Sequence, residues 1–287
     1  MRKVPTKFWL CLPCLLGFPL VLPVYAAHDE PIPSAATIIQ KSVAVNNADW
    51  KAQPRYAYRD LDIKSKIDSD GRTKVQQSRT HEVMLIEGSP YLRLVAVNNE
   101  PLSPSQELQE TIKMNREIAR RQGESRSEQQ ARVAKYRNER ADEHLLMQQM
   151  VDAFHFRFVR DEEVDGVDCY LLEATPDPDY RPPVEKARVL TGMRGHLWID
   201  KQNYHWVKVQ AEVIQPVEFG FFVARVKPGT KFELDQQPVG NIWLPKRFIQ
   251  TVNASIFGLY GLRTKEEELF SDYHENTLRA QAQTPVN

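Results

Sequence analysis

Two carboxylates in the pattern Asp60-Leu61-Asp62 are the first candidates for chemistry in this sequence. On a β-strand, residues two positions apart share a face and lie about 6.6 Å apart. At that spacing one carboxyl group can act as an acid and the other as a base. Alternating charged and apolar residues are also typical of a strand whose charged face is solvated, and we interpret the pair in this second way. A cluster of carboxylates with perturbed pKa values in a pocket here would instead favour a hydrolase.

Other catalytic and metal-binding patterns are absent from the sequence. It contains no Gly-x-Ser-x-Gly and no glycine-rich phosphate loop. No two histidines are separated by two or four positions, which are common metal-ligand spacings. His81-Glu82 begins like a zinc-protease motif, but no second histidine follows. The sequence therefore predicts no catalytic residue, no metal site and no cofactor, and so a protein that is not an enzyme. The seven histidines are His28, His81, His144, His155, His196, His205 and His274.

The first 26 residues have the pattern of a cleavable secretion signal. Residues 1–7 carry three basic side chains and no acidic one, residues 8–25 are almost wholly apolar, and small residues precede a cleavage site after Ala26. A membrane anchor is the alternative, since 18 apolar residues is the lower limit of a membrane span. Three prolines within the run and the cleavage pattern favour the signal. We therefore predict export to the periplasm and a single mature domain over residues 27–287.

Composition supports a globular domain that does not bind nucleic acid. The chain has 287 residues, of which 41% are hydrophobic and 26% charged, with 38 basic and 38 acidic side chains. Removing Arg2, Lys3 and Lys7 with the signal leaves 35 basic against 38 acidic residues, and phosphate binding needs a basic surplus. Cys169 is then the single cysteine left, and its apolar surroundings are typical of a buried strand residue rather than a nucleophile.

The order of elements predicts an α+β fold that is mainly antiparallel β. A short amphipathic helix is expected over Ser34–Asn47, and about ten strands with period-two alternation follow, two of them over Ile242–Gln250 and Val252–Tyr260. Without alternating β-α-β units, a Rossmann fold or a parallel barrel is excluded. A sheet of this size must curl, so we expect a curved half-open β-barrel lidded by helices.

One helical insertion interrupts the strands over about residues 104–154. Ser103-Pro104-Ser105-Gln106 is a capping box, and Gly123-Glu124-Ser125 predicts a break between two helices. Between Lys113 and Arg140 there are nine basic and four acidic residues. This surplus is consistent with an arm that docks on a membrane or a protein partner. It is equally consistent with a solvated helical face carrying i,i+4 ion pairs.

Apolar strand residues without obvious helical cover suggest a hollow on one face of the sheet. Part of that hollow could stay open to an apolar ligand, or the apolar end of the insertion, Leu145 to Phe154, could fill it. The candidate ligand-binding residues are Leu171, Leu197, Ile199, Val207, Val209, Ala211 and Val213.

Three short phrases resemble the periplasmic lipoprotein-carrier superfamily (LolA/LolB-like, outer-membrane lipoprotein-sorting proteins). They are Gly195-His196-Leu197-Trp198-Ile199-Asp200, then Tyr204-His205-Trp206-Val207-Lys208-Val209, and Asn241-Ile242-Trp243-Leu244-Pro245. In order of elements the resemblance covers Ser34 to Tyr273. It implies a half-open antiparallel barrel that holds acyl chains of lipoproteins or other lipids. The compact carriers lack the insertion and the proline-rich loop at 176–183, so the resemblance does not specify which cargo this chain would bind.

These observations predict a periplasmic binding or carrier protein for a lipidic or acylated ligand, which lies in the concave face of the half-barrel. Its expected partners are a lipid or an acylated protein. An inner- or outer-membrane protein could in addition dock on the basic insertion. The alternative is a non-catalytic structural or partner-binding envelope protein, in which the hollow is plugged and the basic insertion is the working surface.

Overall fold

The computed structural model describes residues 33–68, 70–219, 224–256 and 260–276. The predicted signal peptide, residues 1–26, lies outside the described residues. The single mature domain over residues 27–287 therefore stays a prediction.

Three α-helices and two 3-10 helices form within the described ranges. They are α1 (Ala35–Ala52), α2 (Pro104–Gln122), α3 (Arg126–Ala153) and the 3-10 helices Gln53–Arg55 and Glu185–Gly192. Ser34 caps α1, while Ser103 and Ser125 each form a capping box at the start of α2 and α3. The predicted break between the two helices of the insertion is therefore confirmed. In the part of the chain described, no helix is both long and apolar enough to cross a membrane.

Thirteen strands, counted over the described residues, belong to one antiparallel sheet. Their order across the sheet is β4-β3-β2-β1-β13-β12-β11-β8-β7-β6-β5, with β10 pairing with both β12 and β9. They are β1 (Tyr56–Ile67), β2 (Thr73–Ile86), β3 (Ser89–Val97), β4 (Glu100–Pro101), β5 (Phe154–Val164), β6 (Val167–Pro176), β7 (Met193–Asp200), β8 (Trp206–Val213), β9 (Val217–Phe219), β10 (Ala224–Val226), β11 (Lys231–Val239), β12 (Ile242–Ile256) and β13 (Tyr260–Glu275).

This architecture confirms the predicted fold class, an α+β protein whose large open sheet fits a curved half-barrel. Three details differ from the sequence prediction, of which the first is that the described residues form thirteen strands rather than about ten. Two strands were expected over Ile242–Gln250 and Val252–Tyr260, but a single strand, β12, runs through the junction between them. No glycine or proline separates the two segments at Thr251. The proline-rich loop is followed by the 3-10 helix Glu185–Gly192, which was not predicted.

The main core lies between strands β5–β8 and the elements that cover them: α1, the C-terminal end of α3 and the second 3-10 helix. Leu172, Leu197 and Ile199 on the strands are at most 1% exposed, and Ile38 of α1 is fully buried against the same cluster. Each such side chain contributes about 1.5–3 kcal/mol by leaving water. This apolar packing holds one half of the sheet and its helices together.

Polar contacts fix the position of α1 on this core. The indole Nε1 of Trp206 donates a hydrogen bond to Oγ of Ser42 at 3.1 Å. Nδ1 of His205 lies 2.7 Å from a carboxylate oxygen of Asp49, and both side chains are largely buried. Buried polar groups need such partners, so these contacts select one register of the helix on the sheet.

We expect Leu197→Ala to lower the free energy of unfolding by about 2–5 kcal/mol, because it leaves a cavity in a filled core. Urea unfolding followed by tryptophan fluorescence measures the change. Leu108→Ala is the matched control, since this leucine of α2 is 61% exposed and its truncation should cost less than about 0.5 kcal/mol. Equal losses in the two variants would contradict this placement of the core.

Candidate functional site

The predicted ligand-binding residues lie mostly in the filled core. Leu197, Ile199 and Val213 are at most 1% exposed, and Val209 and Ala211 pack against the same cluster. The apolar end of α3 covers this part of the sheet through Leu146, Met147, Met150, Ala153 and Phe154. Over β5–β8 the hollow is therefore plugged, as the alternative interpretation expected.

Leu171 and Val207 do not share that core, contrary to the expected alternation. Both belong to a second buried cluster, with Cys169 and Trp198. A β-bulge between Trp198 and Ile199 in the pairing of β7 with β8 explains the position of Val207, because one extra residue moves it off the expected face. Cys169 is fully buried and its pKa is raised to about 12, chiefly by burial, so it is an apolar strand residue as predicted.

A row of paired residues shows how the helix-covered face changes across the sheet. Residues directly opposite each other in an antiparallel pair point to the same side. The row is apolar on β6, β7, β8, β11 and β12 and charged on β13, β1 and β2. It consists of Leu172, Leu197, Val209, Leu234, Phe248, Glu268, Asp62 and Arg79. The apolar hollow predicted from the sequence therefore ends at β12.

The charged part of this face contains a group of carboxylates. Asp62 pairs with Glu268, Lys64 with Glu266, and Asp60 is on the same side of β1. One oxygen each of Asp60 and Asp62 is buried without a hydrogen-bond partner. Asp60 and Asp62 are therefore partly buried, whereas the sequence interpretation placed them on a solvated strand face. The sequence signal that was missed is the alternation on β13, which places Glu266 and Glu268 on one side.

Burial and mutual repulsion raise the pKa values of two of these carboxyl groups. The pKa of Asp60 is about 6, first because of burial and then because of Asp62. The pKa of Glu268 is about 7, again chiefly because of burial, with Asp60 and Glu266 adding repulsion. Like charges on directly opposed strand residues are destabilising. Within the described ranges, no group of three or more His, Cys, Asp or Glu residues is arranged to hold a metal ion.

The insertion forms a helical hairpin, α2–α3, that is attached to the sheet by a clasp of two arginines. Arg121 donates from Nη1 to the carbonyls of Ile86 and Ser89, both at 2.8 Å. Arg132 donates to Oγ of Ser89 at 2.6 Å and to the carbonyl of Glu87 at 3.1 Å. The turn between β2 and β3 is thus held through its carbonyl groups. We call Arg121 and Arg132 the arginine clasp.

Five of the nine basic residues between Lys113 and Arg140 form ion pairs with glutamates of the hairpin itself. Glu117 pairs with Arg120 and Arg121, and Glu124 pairs with Arg120 and Arg132. These pairs support the interpretation of the insertion as a helical face with internal ion pairs. Three exposed arginines have no partner within the described residues, and they remain for an outside contact: Arg116, Arg126 and Arg137.

Few residues of the hairpin are fully buried, and most of those are polar. They are Glu110 and Arg121 on α2 and His144 and Ala153 on α3. Leu108 and Ile112 of α2 are exposed, as is Leu92 of β3. The hairpin therefore lies on the β1–β3 half of the sheet without an apolar core of the kind found over β5–β8.

A cavity of about 190 Å³ lies between α3 and strands β1–β3. Its walls are aromatic and apolar, apart from a few polar side chains that include Arg140 and Glu143. The lining includes Tyr56, Tyr58, Val83, Met84, Leu85, Pro90, Tyr136 and Arg140. Tyr58 is within 5.3 Å of Tyr273 and 5.9 Å of Phe270, measured between ring centres. This corner is the apolar surface on which the hairpin rests.

A second hollow, on β7, β8 and β11, is an open polar groove of about 440 Å³. It contains one ion pair, in which Arg194 donates from Nε to Glu212 at 2.8 Å. Of the predicted ligand-binding residues, only Ala211 lines it. The cavity beneath α3 differs from this groove in its lining, which is mostly aromatic and apolar side chains, and we take that cavity as the candidate site.

We expect the gain in melting temperature of Asp60→Asn and Glu268→Gln over the wild type to grow from pH 5 to pH 7.5. A carboxyl group with a raised folded-state pKa stabilises the fold most below pH about 4. That contribution is lost as the pH rises through 6 and 7. His81 and His144, whose pKa values burial lowers, act in the opposite sense. Thermal unfolding therefore has to be compared between variant and wild type at each pH.

Glu163→Gln is the control for this comparison, because Glu163 is an exposed residue of β5. Its effect on the melting temperature should not grow across the same pH range. A pH-independent effect of Asp60→Asn and Glu268→Gln would show that these carboxyl groups titrate normally in the folded protein.

Comparison with known proteins finds similarity to solved structures. No family model matches the chain, and no curated protein matches its sequence. A LolA-superfamily protein from Nitrosomonas europaea is 11% identical, with a TM-score of 0.31, over 88% of this chain and 98% of that one. A DUF1329 family protein from Desulfovibrio piger is 14% identical, with a TM-score of 0.33, over 88% and 99%.

A third similar structure is a putative outer membrane lipoprotein-sorting protein domain from Vibrio parahaemolyticus. It is 11% identical, with a TM-score of 0.32, over 85% of this chain and 98% of that domain. The names of two of these proteins refer to the superfamily that the short phrases of sequence resemble.

Proposed function

We propose that this protein is a periplasmic, non-catalytic binding or carrier protein for a lipidic or acylated ligand, which enters between α3 and strands β1–β3. The observation that carries this proposal is the contrast between the two halves of the helical cover. Over β5–β8 the cover is fixed by apolar packing. Over β1–β3 it rests on an aromatic cavity and is held chiefly by the polar arginine clasp.

Such an attachment supports a lid that opens. Lids and moving segments are the parts of a protein with few buried apolar contacts. Lifting α2 and the first half of α3 would expose the walls around Tyr58 and Val83 together with the already exposed Leu92. These walls are the apolar surface that an acyl chain needs.

The small size of this cavity also favours opening of the lid. About 190 Å³ is below the 300–1,000 Å³ of most ligand sites, and it holds about six water-sized groups. At roughly 0.8 kcal/mol per buried CH₂, six methylenes would contribute about 5 kcal/mol, close to the cost of association. Tight binding of a long chain therefore requires more wall than the closed form offers.

The seven apolar residues predicted from the sequence contribute little to this site. None of them lines the cavity beneath α3. Their role in ligand binding stays a prediction, and it would require α1 to leave the core.

Partner binding through the hairpin is a second candidate function. The observation that favours it is that Arg116, Arg126 and Arg137 are exposed and have no partner in the described part of the chain. A partner docked there would be lost when these arginines are replaced by glutamine, whereas lipid binding would remain.

Loosening the clasp should speed ligand exchange. We expect Arg121→Gln with Arg132→Gln to raise the release rate of a fluorescent dodecanoate probe about tenfold or more. The reason is that hydrogen bonds from charged groups, each contributing about 1.5–3 kcal/mol, no longer hold the lid. Stopped-flow displacement by unlabelled dodecanoate measures the rate.

Arg116→Gln with Arg126→Gln is the matched control, since it removes the same charge from the same hairpin without touching the clasp. Ser89→Ala deletes only the 2.6 Å bond to Arg132 and should give a smaller increase. Failure of the wild type to bind the probe at micromolar concentration would contradict the proposed function. Equal rates in the clasp and control variants would contradict the lid.

A further inference from the structure

Arg140 of α3 is a half-buried cation without a carboxylate partner. Its Nη2 donates to the carbonyl of Trp50 at 2.5 Å and lies 3.4 Å from Oε1 of Gln53. No carboxylate within the described ranges lies at salt-bridge distance from it, and its Nε and Nη1 donate no hydrogen bond there. Arginines in protein interiors are usually paired, so this arrangement leaves donors available.

Aromatic rings hold this guanidinium group in place. It lies 4.4 Å from the ring centre of Trp50 and 5.8 Å from that of Tyr136. Trp50 in turn stacks on His144 at 4.2 Å. The cation is therefore positioned before any ligand arrives, which lowers the entropic cost of binding. Burial lowers its pKa, but an arginine keeps its charge at any physiological pH.

Two tyrosines, Tyr58 and Tyr136, line the same cavity as Arg140. Neither hydroxyl makes a hydrogen bond to a described residue. Burial is the main cause that raises the pKa of each phenol, so both remain protonated donors. One cation and two hydroxyl donors thus face a single cavity whose other walls are mostly apolar.

The geometry points to an anionic head-group site: Arg140, with the hydroxyls of Tyr58 and Tyr136, binds the carboxylate or phosphate of a single-chain amphiphile whose acyl chain follows the apolar wall. Charge-assisted, bidentate bonds from a guanidinium group suit both anions. This inference rests on the proposed function and specifies its ligand class. A neutral acyl group, such as one attached to a protein through an ester or amide, would leave Arg140 unpaired.

One acidic residue of the cavity opposes this choice. Glu143 also lines the cavity. Because Glu143 is exposed to solvent, water and salt screen its negative charge. The half-buried guanidinium group is screened less. The balance therefore favours an anion over a neutral head group.

The test compares three ligands of equal chain length on the full chain: dodecanoate, dodecyl phosphate and dodecanol. We expect the wild type to bind both anions about tenfold or more tightly than dodecanol. Arg140→Gln should remove that preference and leave the affinity for dodecanol unchanged. Arg137→Gln, an exposed arginine one turn away on the same helix, should keep the preference.

A second variant covers the case in which Arg140→Gln unfolds, since Arg140 also anchors α3 to Trp50. Tyr58→Phe with Tyr136→Phe removes only the two hydroxyls and should weaken the anions severalfold without affecting dodecanol.

The possible outcomes separate the inference from the proposed function. If the wild type binds dodecanol as tightly as dodecanoate, the head-group site is wrong while lipid binding stands. If none of the three ligands binds, the proposed function itself fails. If inorganic phosphate displaces dodecyl phosphate at equal concentration, the site binds free anions rather than amphiphiles, and the inference is overturned.

Discussion

The apolar packing of α1 and the end of α3 against β5–β8 holds one half of the sheet and its helical cover together. A single long sheet presents two faces, and an apolar face is stable only where another element covers it. Here Ile38 of α1 and Leu172, Leu197 and Ile199 of the strands are almost completely buried together. Because one half of the sheet is fixed in this way, the other half can carry a cover that is less tightly attached.

The two halves of the sheet differ in chemistry as well as in cover. Along one row of paired residues, the helix-covered face passes from Leu197 and Val209 to Glu268 and Asp62. The half-buried carboxyl groups at its charged end weaken the packing of that region, because burial disfavours their ionised form. The arginine clasp and the cavity beneath α3 belong to this half. The polar attachment of the hairpin and the largely apolar wall of the cavity therefore occur in the same place.

The sequence was sufficient for the fold but not for the site. The capping box at Ser103, the break at Gly123-Glu124-Ser125 and period-two alternation are local signals, and they predicted the hairpin and most strands correctly. The cover over Leu197 and Ile199 depends on where α1 and α3 pack, which no local pattern specifies. The cavity beneath α3 joins Tyr58, Val83 and Arg140, which are distant in sequence and meet through tertiary packing alone. From the sequence only two of the four carboxylates, Asp60 and Asp62, could be identified as neighbours. Glu266 and Glu268 join them only when β13 pairs with β1.

Native-state hydrogen exchange can measure whether α2 and the first half of α3 open as a lid, independently of the core. We predict that amides of Pro104–Gln122 and of the first half of α3 exchange at a much lower opening free energy than those of β6–β8. We also predict that dodecanoate slows exchange in those helices while leaving the strands unchanged. The account is contradicted if the hairpin exchanges only through global unfolding, together with β6–β8, and if dodecanoate has no effect on it.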